Sequence, residues 1–278
     1  MIFPDPYPAA SAAARKHAEL EWPNECVGFV IEGGEYVPLV NIHPDPGNHF
    51  AISQDDEDQY AAEKVAVIHS HCIAGGSFHA NDGPLGAGPS EHDMRQQMAS
   101  ACPWGLIVVV DGCSHESVIW WGDQLHEAPL NLPVAPLVGR PFVHGVYDCL
   151  SIIRDAYRTD AYGFVKDYYG VDSIVMPIYP REFGWWSDRE NGESVVPKNM
   201  YRDNFKACGF REIAQDEMRP GDVFLAQILA PVTNHGGVYL GNGLILHHLR
   251  SRLSKTDVAS RWLNHVTHYL RYEGPPQS

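Results

Sequence analysis

Apolar and polar positions divide the chain into two patterned stretches separated by a proline-rich one. Residues 9–21 (AASAAARKHAELE) predict an alanine-rich helix that Pro23 ends. Apolar segments at 26–31 (CVGFVI) and 36–42 (YVPLVNI) predict strands. The acidic run SQDDEDQYAAEK predicts a short helix, its Asp and Glu residues suiting the positive end of the helix dipole. A strongly apolar strand, Val65–Ile68, then runs into His69-Ser70-His71. A glycine-rich loop over 73–88 follows, with a helix starting near Ser90 and buried strands at 105–110 (GLIVVV) and 117–121 (SVIWW).

The stretch 126–141 (HEAPLNLPVAPLVGRP) holds four prolines, a density that sustains neither a helix nor a central strand. It predicts a first domain over 1–127, a linker over 128–140 and a second domain over 141–278, with the boundary near residue 130. Beyond it, Asp148-Cys149 opens a helix, LSIIRDAYR, and an aromatic-rich stretch, 161–201, contains Trp185-Trp186. Pro220-Gly221-Asp222 makes a turn into a strand over 223–228. Strands 235–240 and 244–248 are joined by Gly241-Asn242-Gly243, a strong hairpin signal.

Composition narrows the functional classes. A length of 278 residues suits two modest domains, and 44% hydrophobic with 20% charged residues is ordinary for globular protein. The net charge of −15 argues against non-specific nucleic-acid binding and against docking on anionic lipid. Six scattered cysteines without a CxxC pair predict reduced thiols, one of them a candidate nucleophile. The start, MIFPDPYPAASAAARKH, lacks the regions of a secretory signal, and no apolar run approaches the ~20 residues of a membrane span. The expectation is a chain made in a cytoplasm and not inserted into a membrane.

His69 and His71 stand two apart on a strand, so both imidazoles face one way, a sound geometry for two ligands of one metal. A carboxylate folding back from the next helix, Asp93, would complete a three-ligand zinc site open to water, and Glu25 would serve as its base. Ser90-x-x-Asp93 also reads simply as a capping box. Glu25, His69-x-His71 and Pro89-Ser90-x-x-Asp93 together resemble the JAMM/MPN metallopeptidase motif over roughly residues 9–121. The resemblance implies zinc (Zn2+) on His69, His71 and Asp93, Glu25 as general acid/base and Ser90 as an oxyanion stabiliser. Two departures stand out. Cys72 occupies the family's usual proline position, and the 18 residues between His71 and Ser90 far exceed the usual spacing. Three outcomes of that insertion stay open: the ligand set survives it, the loop covers the site, or it supplies His79 or Asp82 as a substitute ligand; Cys72 reads as a structural thiol or as a further ligand.

Cys149 in a first helical turn feels the positive end of the helix dipole, which favours thiolate, and Asp148 is a good N-cap. His235 begins one hairpin strand and His247 ends the other, so one imidazole accepts the thiol proton while a second orients it. His247 and His248 point to opposite faces, and counting along the hairpin leaves the choice between them open. Gly139-Arg140-Pro141-Phe142, Gly145, Asp148-Cys149, Arg219-Pro220-Gly221-Asp222, His235–Gly243 and His247 resemble the NlpC-type cysteine peptidases over about 139–250. The family pattern places its third polar residue twelve positions after the histidine, selecting His247, and the resemblance implies Tyr147 as an oxyanion partner. It also implies peptidoglycan stem peptides as substrate. The long segment 158–218 departs from compact members, and its aromatics read either as core or as a substrate groove.

The expected fold is α+β in two domains: a JAMM/MPN-like mixed sheet with flanking helices, and a papain-like NlpC fold whose cysteine-bearing helix packs on an antiparallel sheet. This combination resembles the tail-tip assembly proteins of long-tailed phages. That implies a virion enzyme with phage tail-tip proteins as partners. Two rivals are a structural tail-tip component with inactive sites and a host cell-wall recycling peptidase.

Overall fold

The computed structural model describes residues 5–75, 86–100, 102–122, 125–126, 134–176 and 199–274. His79, Asp82, Trp185, Trp186 and residues 128–133 of the expected linker lie outside these. The chain divides into two compact units, Met1–Ala135 and Pro136–Ser278, so the division falls within the proline-rich stretch.

The N-terminal unit is built on a mixed sheet. Its strands are β1 (Val27–Ile31), β2 (Tyr36–Leu39), β3 (Lys64–Ile73), β4 (Trp104–Val110), β5 (Cys113–Ser114), β6 (Ile119–Trp121) and β7 (Leu125–His126), in the order β2-β1-β3-β4-β6-β7 with β5 on β4. Among the described residues, only β3 and β4 run parallel. Helix α1 (Pro8–Glu21) buries Ala10, Ala14 and Ala18, one small residue per turn on one face. They pack with Val30, Ile68, Ile107, Val109 and Trp120 in one core. Helix α2 (Gln54–Tyr60) starts at Ser53, whose hydroxyl accepts from Asp56 N, and α3 (Glu91–Ser100) follows Ser90. β3 is longer than its apolar run predicts. It carries His69 and His71 within the sheet, because the β1 and β4 ladders extend past Ile68.

The C-terminal unit is an antiparallel sheet of β8 (Phe210–Ile213), β9 (Val223–Ala226), β10 (His235–Gly241), β11 (Leu244–His247), β12 (Lys255–Val258) and β13 (Val266–Tyr272), ordered β12-β11-β10-β9-β13-β8. Helix α4 (Cys149–Thr159) buries Ile152, Ile153, Ala156 and Tyr157 against Val223, Leu225, Val238 and Leu246. Two short helices, α5 (Phe164–Tyr169) and α6 (Met200–Asn204), lie in the long segment 158–218. Phe164, Tyr169 and Tyr201 join the core, as the plainer reading of these aromatics expects. The β10–β11 turn holds Gly241, Asn242 and Gly243 at φ of 88°, 51° and 73°, the left-handed backbone that glycine and asparagine tolerate.

Candidate functional sites

In the N-terminal unit, β3 and α3 bring His69, His71 and Asp93 together, with one potential ligand atom from each lying within 4.8 Å of the others. Asp93 Oδ2 is 3.1 Å from His71 Nε2, and Oδ1 is 3.5 Å from His69 Nε2. Tetrahedral ligands at roughly 2.0–2.1 Å from zinc stand about 3.4 Å apart, so this spacing suits one ion. The donor set suits it as well. His69 is fully buried and, among the described residues, neither of its ring nitrogens has a hydrogen-bond partner, a cost that a metal would remove. His71 Nδ1 lies 2.8 Å from Gly86 O, which fixes that nitrogen as a donor and frees Nε2 to ligate.

β1 and β3 pair in a register that sets Val27 opposite His69, and Ser70 N donates to Cys26 O. Continuing that register places Glu25 opposite His71, on the same face. Glu25 is 6% exposed. Burial pushes its carboxyl up to about 7, against the pull of His71. It also lines a pocket of about 270 Å³ with His17, Asn24, Asn41 and Pro46. Burial works to raise the Asp93 carboxyl, yet the two imidazoles hold it well below the usual carboxylate range. Burial lowers His69, and it would lower His71 too, but the hydrogen bond and charge of Asp93 carry His71 up to about 9.

Ser90 and Asp93 do form the capping pair: Ser90 N donates to Asp93 Oδ2 and Asp93 N to Ser90 Oγ. The cap and the metal reading are therefore compatible, since one carboxylate oxygen serves both and Ser90 Oγ keeps its own O–H to donate. Cys72 alternates away from the two histidines. Its thiol donates to Asn24 O and it packs on the α1 side of the sheet.

In the C-terminal unit, Asp148 caps α4. Its Oδ1 accepts from Leu150 N and Ser151 N, Ser151 Oγ accepts from Asp148 N, and Oδ2 accepts from Gly145 N. Cys149 is thereby fixed in the first turn, where the dipole favours thiolate. Its Sγ lies 4.0 Å from Asn234 O, the carbonyl immediately before His235. One turn along α4, Ile153 covers Gly236, where a Cβ would stand 3.1 Å from Ile153 Cδ1.

His235 pairs with Ala226, and His247 with Gly237. Both imidazoles therefore share the sheet face of Phe224, Ala226 and Ile245, set diagonally across the hairpin. Their Nε2 and Nδ1 atoms are 3.1 Å apart. His247 Nε2 points on toward Asp257 Oδ2 at 3.8 Å, and the Trp262 ring packs on His247 at 4.6 Å. Burial lowers His235 to about 3, helped by His247 and His248, and lowers His247 to about 4 against the opposing charge of Asp257. His248 faces away, toward Arg252 O and the Phe142 ring.

Tyr147 is buried with its ring under the Arg140 guanidinium. Arg140 is itself fully buried on Asp155 and Pro136 O, so part of the Gly139–Phe142 motif ties the loop before Cys149 to α4. Sequence reasoning missed two residues. Asp257 extends the histidine pair through the β11–β12 pairing, and Tyr201 on α6 donates its hydroxyl to Cys149 Sγ at 2.9 Å. No local signal marks either one, because each contact depends on strand register or on how a distant helix is placed.

The NlpC/P60 family model matches residues 139–271. Tail tip assembly protein K of Escherichia phage N15 is 30% identical over 270 residues, covering 94% of this chain and 93% of the relative. Tail tip assembly protein K of Escherichia phage lambda is 34% identical over 208 residues, 75% of this chain and 81% of the relative. A solved NlpC/P60 family protein from Bacillus cereus ATCC 10987 is 12% identical with a TM-score of 0.30. The match covers 92% of this chain and 66% of that one.

Proposed function

Because the chain belongs to the family of the phage tail tip assembly protein K and carries an NlpC/P60 domain over residues 139–271, we propose that it is a tail-tip peptidoglycan hydrolase. On this reading it is a cysteine endopeptidase that cuts cell-wall stem peptides during genome delivery. It is made in the host cytoplasm and carried to the wall by assembly with other tail-tip proteins. The observation that carries the reading is Cys149 at the start of α4 beside the carbonyl preceding His235, with His247 held on His235.

The Nε2 of His235 is turned to His247, so Nδ1 is the nitrogen left to take the Cys149 proton. The thiolate then attacks the scissile carbonyl carbon and forms a C–S bond. The oxyanion is met by the Cys149 backbone N–H and Tyr147. Collapse breaks the C–N bond, and the amine leaves with the proton from His235. Water, deprotonated by the same imidazole, cleaves the thioester and restores the thiol. His247 orients His235 and shares the charge it gains, with Asp257 beyond it.

The N-terminal unit is proposed to hold zinc on His69, His71 and Asp93 and to act as a metallopeptidase. Zinc there would lower the pKa of water and polarise a carbonyl. Glu25, poised near neutrality, holds and returns the proton, and the Ser90 hydroxyl donates to the oxygen on which charge develops.

The test is digestion of purified peptidoglycan with mass spectrometry of the fragments, comparing the wild type, Cys149→Ala and His69→Ala. Cleavage of stem peptides by the wild type and His69→Ala, abolished in Cys149→Ala, is the expected result. Cleavage that survives Cys149→Ala would overturn the assignment of the nucleophile. A folded wild type that releases no fragments would favour a structural component of the tail tip.

A further inference from the structure

The nucleophile has a neighbour that the proposed mechanism leaves unused. Tyr201 lies on α6, in the segment between α5 and β8, 52 residues beyond Cys149, and its hydroxyl reaches Sγ at 2.9 Å. Its ring, partly buried, packs against the core beneath α4, and that packing positions the hydroxyl. The geometry is that of an O–H donor, because a phenol at neutral pH has its proton and a thiol is a weak acceptor that becomes a strong one on ionisation.

The surroundings give that donor something to do. A carbonyl oxygen, Asn234 O, also faces Sγ, and it favours the thiol over the thiolate. Burial holds the His235 imidazole uncharged before the proton moves. The first turn of α4 and the phenolic O–H both favour the anion.

We propose that Tyr201 is a catalytic residue of the cysteine site: its hydroxyl donates to Cys149 Sγ, stabilises the thiolate and holds it for attack. This rests on the reading of Cys149 as nucleophile. No bond is made or broken at Tyr201, and the phenol keeps its proton throughout. A hydrogen bond to a charged acceptor justifies an effect of about tenfold on ionisation, one unit in the thiol pKa.

The experiment is Tyr201→Phe in the full chain, which keeps the ring and its packing, with folding checked by near-ultraviolet circular dichroism. Two readouts are taken. The first is the rate of iodoacetamide alkylation of the Cys149 peptide against pH, followed by mass spectrometry so that the other five cysteines do not interfere. The second is kcat and KM on purified peptidoglycan. The expected result is an alkylation midpoint about one pH unit higher, with kcat down about tenfold and KM little changed. An unmoved midpoint would overturn the proposal. So would faster wall cleavage by Tyr201→Phe, which would make the tyrosine a shield over the nucleophile. A shifted midpoint in a protein whose wild type cuts no peptidoglycan would uphold Tyr201 and sink the wall-peptidase reading, so the two failures are distinguishable.

Discussion

At the scale of single residues, the cysteine site is a set of buried bases kept neutral. His247 is fully buried, and burial lowers its imidazole from 6.5 to about 4. The sign of its effect on stability follows. Between those two values the unfolded chain binds the proton and the folded chain does not, so stability falls as pH drops from 6.5 toward 4 and is fully present above 6.5. At pH 5 the loss attributable to His247 is about 2 kcal/mol relative to pH 8. Urea unfolding of the wild type and His247→Asn at both pH values isolates it. The wild type should lose about 2 kcal/mol more than the variant on acidification. Equal losses would mean that the imidazole is already protonated in the folded state. Asp155 shows the opposite case of a buried group kept charged. Burial works against the Asp155 carboxylate, but Arg154 and Arg140 hold it ionised, and the Arg140–Asp155 pair anchors the loop before Cys149.

At the scale of elements, legibility tracked how local the determining interaction is. The β10–β11 hairpin was readable because its turn demands left-handed backbone at three successive positions, and Gly241-Asn242-Gly243 supplies it. The start of α4 was readable because Asp148 caps it through side-chain bonds to residues two and three along. The HxH pair was readable because strand alternation alone puts both imidazoles on one face. β8, β12 and β13 were not. Their burial patterns are irregular, and they owe their place to ladders with partners far along the chain. With β12 unseen, Asp257 could not be assigned to His247. Tyr201 was hidden in the same way, on a five-residue helix with no usable period.

The glycines of β10 carry a packing requirement that the sequence motif does not explain by itself. A Cβ at Gly237 would stand 2.4 Å from Leu246 O and 2.7 Å from the Phe224 ring. Its absence leaves the face beside His235 and His247 open. Gly237→Ala must therefore push β11 or Phe224 aside, and the expected cost is about 1–3 kcal/mol, the range for overpacked cores. The urea midpoint should fall accordingly, and an unchanged midpoint would show that the hairpin relaxes freely at this point.

At the scale of the whole molecule, the two candidate sites lie in different units. His69 and His71 on β3 and Asp93 on α3 belong to the N-terminal unit, whereas Cys149 on α4, His235 on β10 and His247 on β11 belong to the C-terminal unit. An ion that binds only the folded N-terminal unit stabilises it by mass action, about 2.7 kcal/mol at a free concentration one hundred times its Kd. That free energy would enter through β3 and α3, the two elements that carry the proposed ligands. Hydrogen exchange followed by mass spectrometry resolves this along the chain. With zinc present, peptides covering 64–75 and 91–100 should exchange more slowly than with chelator, while those covering 149–159 and 235–247 should not change. His71→Ala should abolish the difference without altering the C-terminal peptides. Protection by zinc that persists in His71→Ala would place the metal on other ligands. Protection confined to 149–159 and 235–247 would instead locate the ion at the cysteine site, and the three-residue cluster of the N-terminal unit would then be a buried ion pair rather than a metal centre.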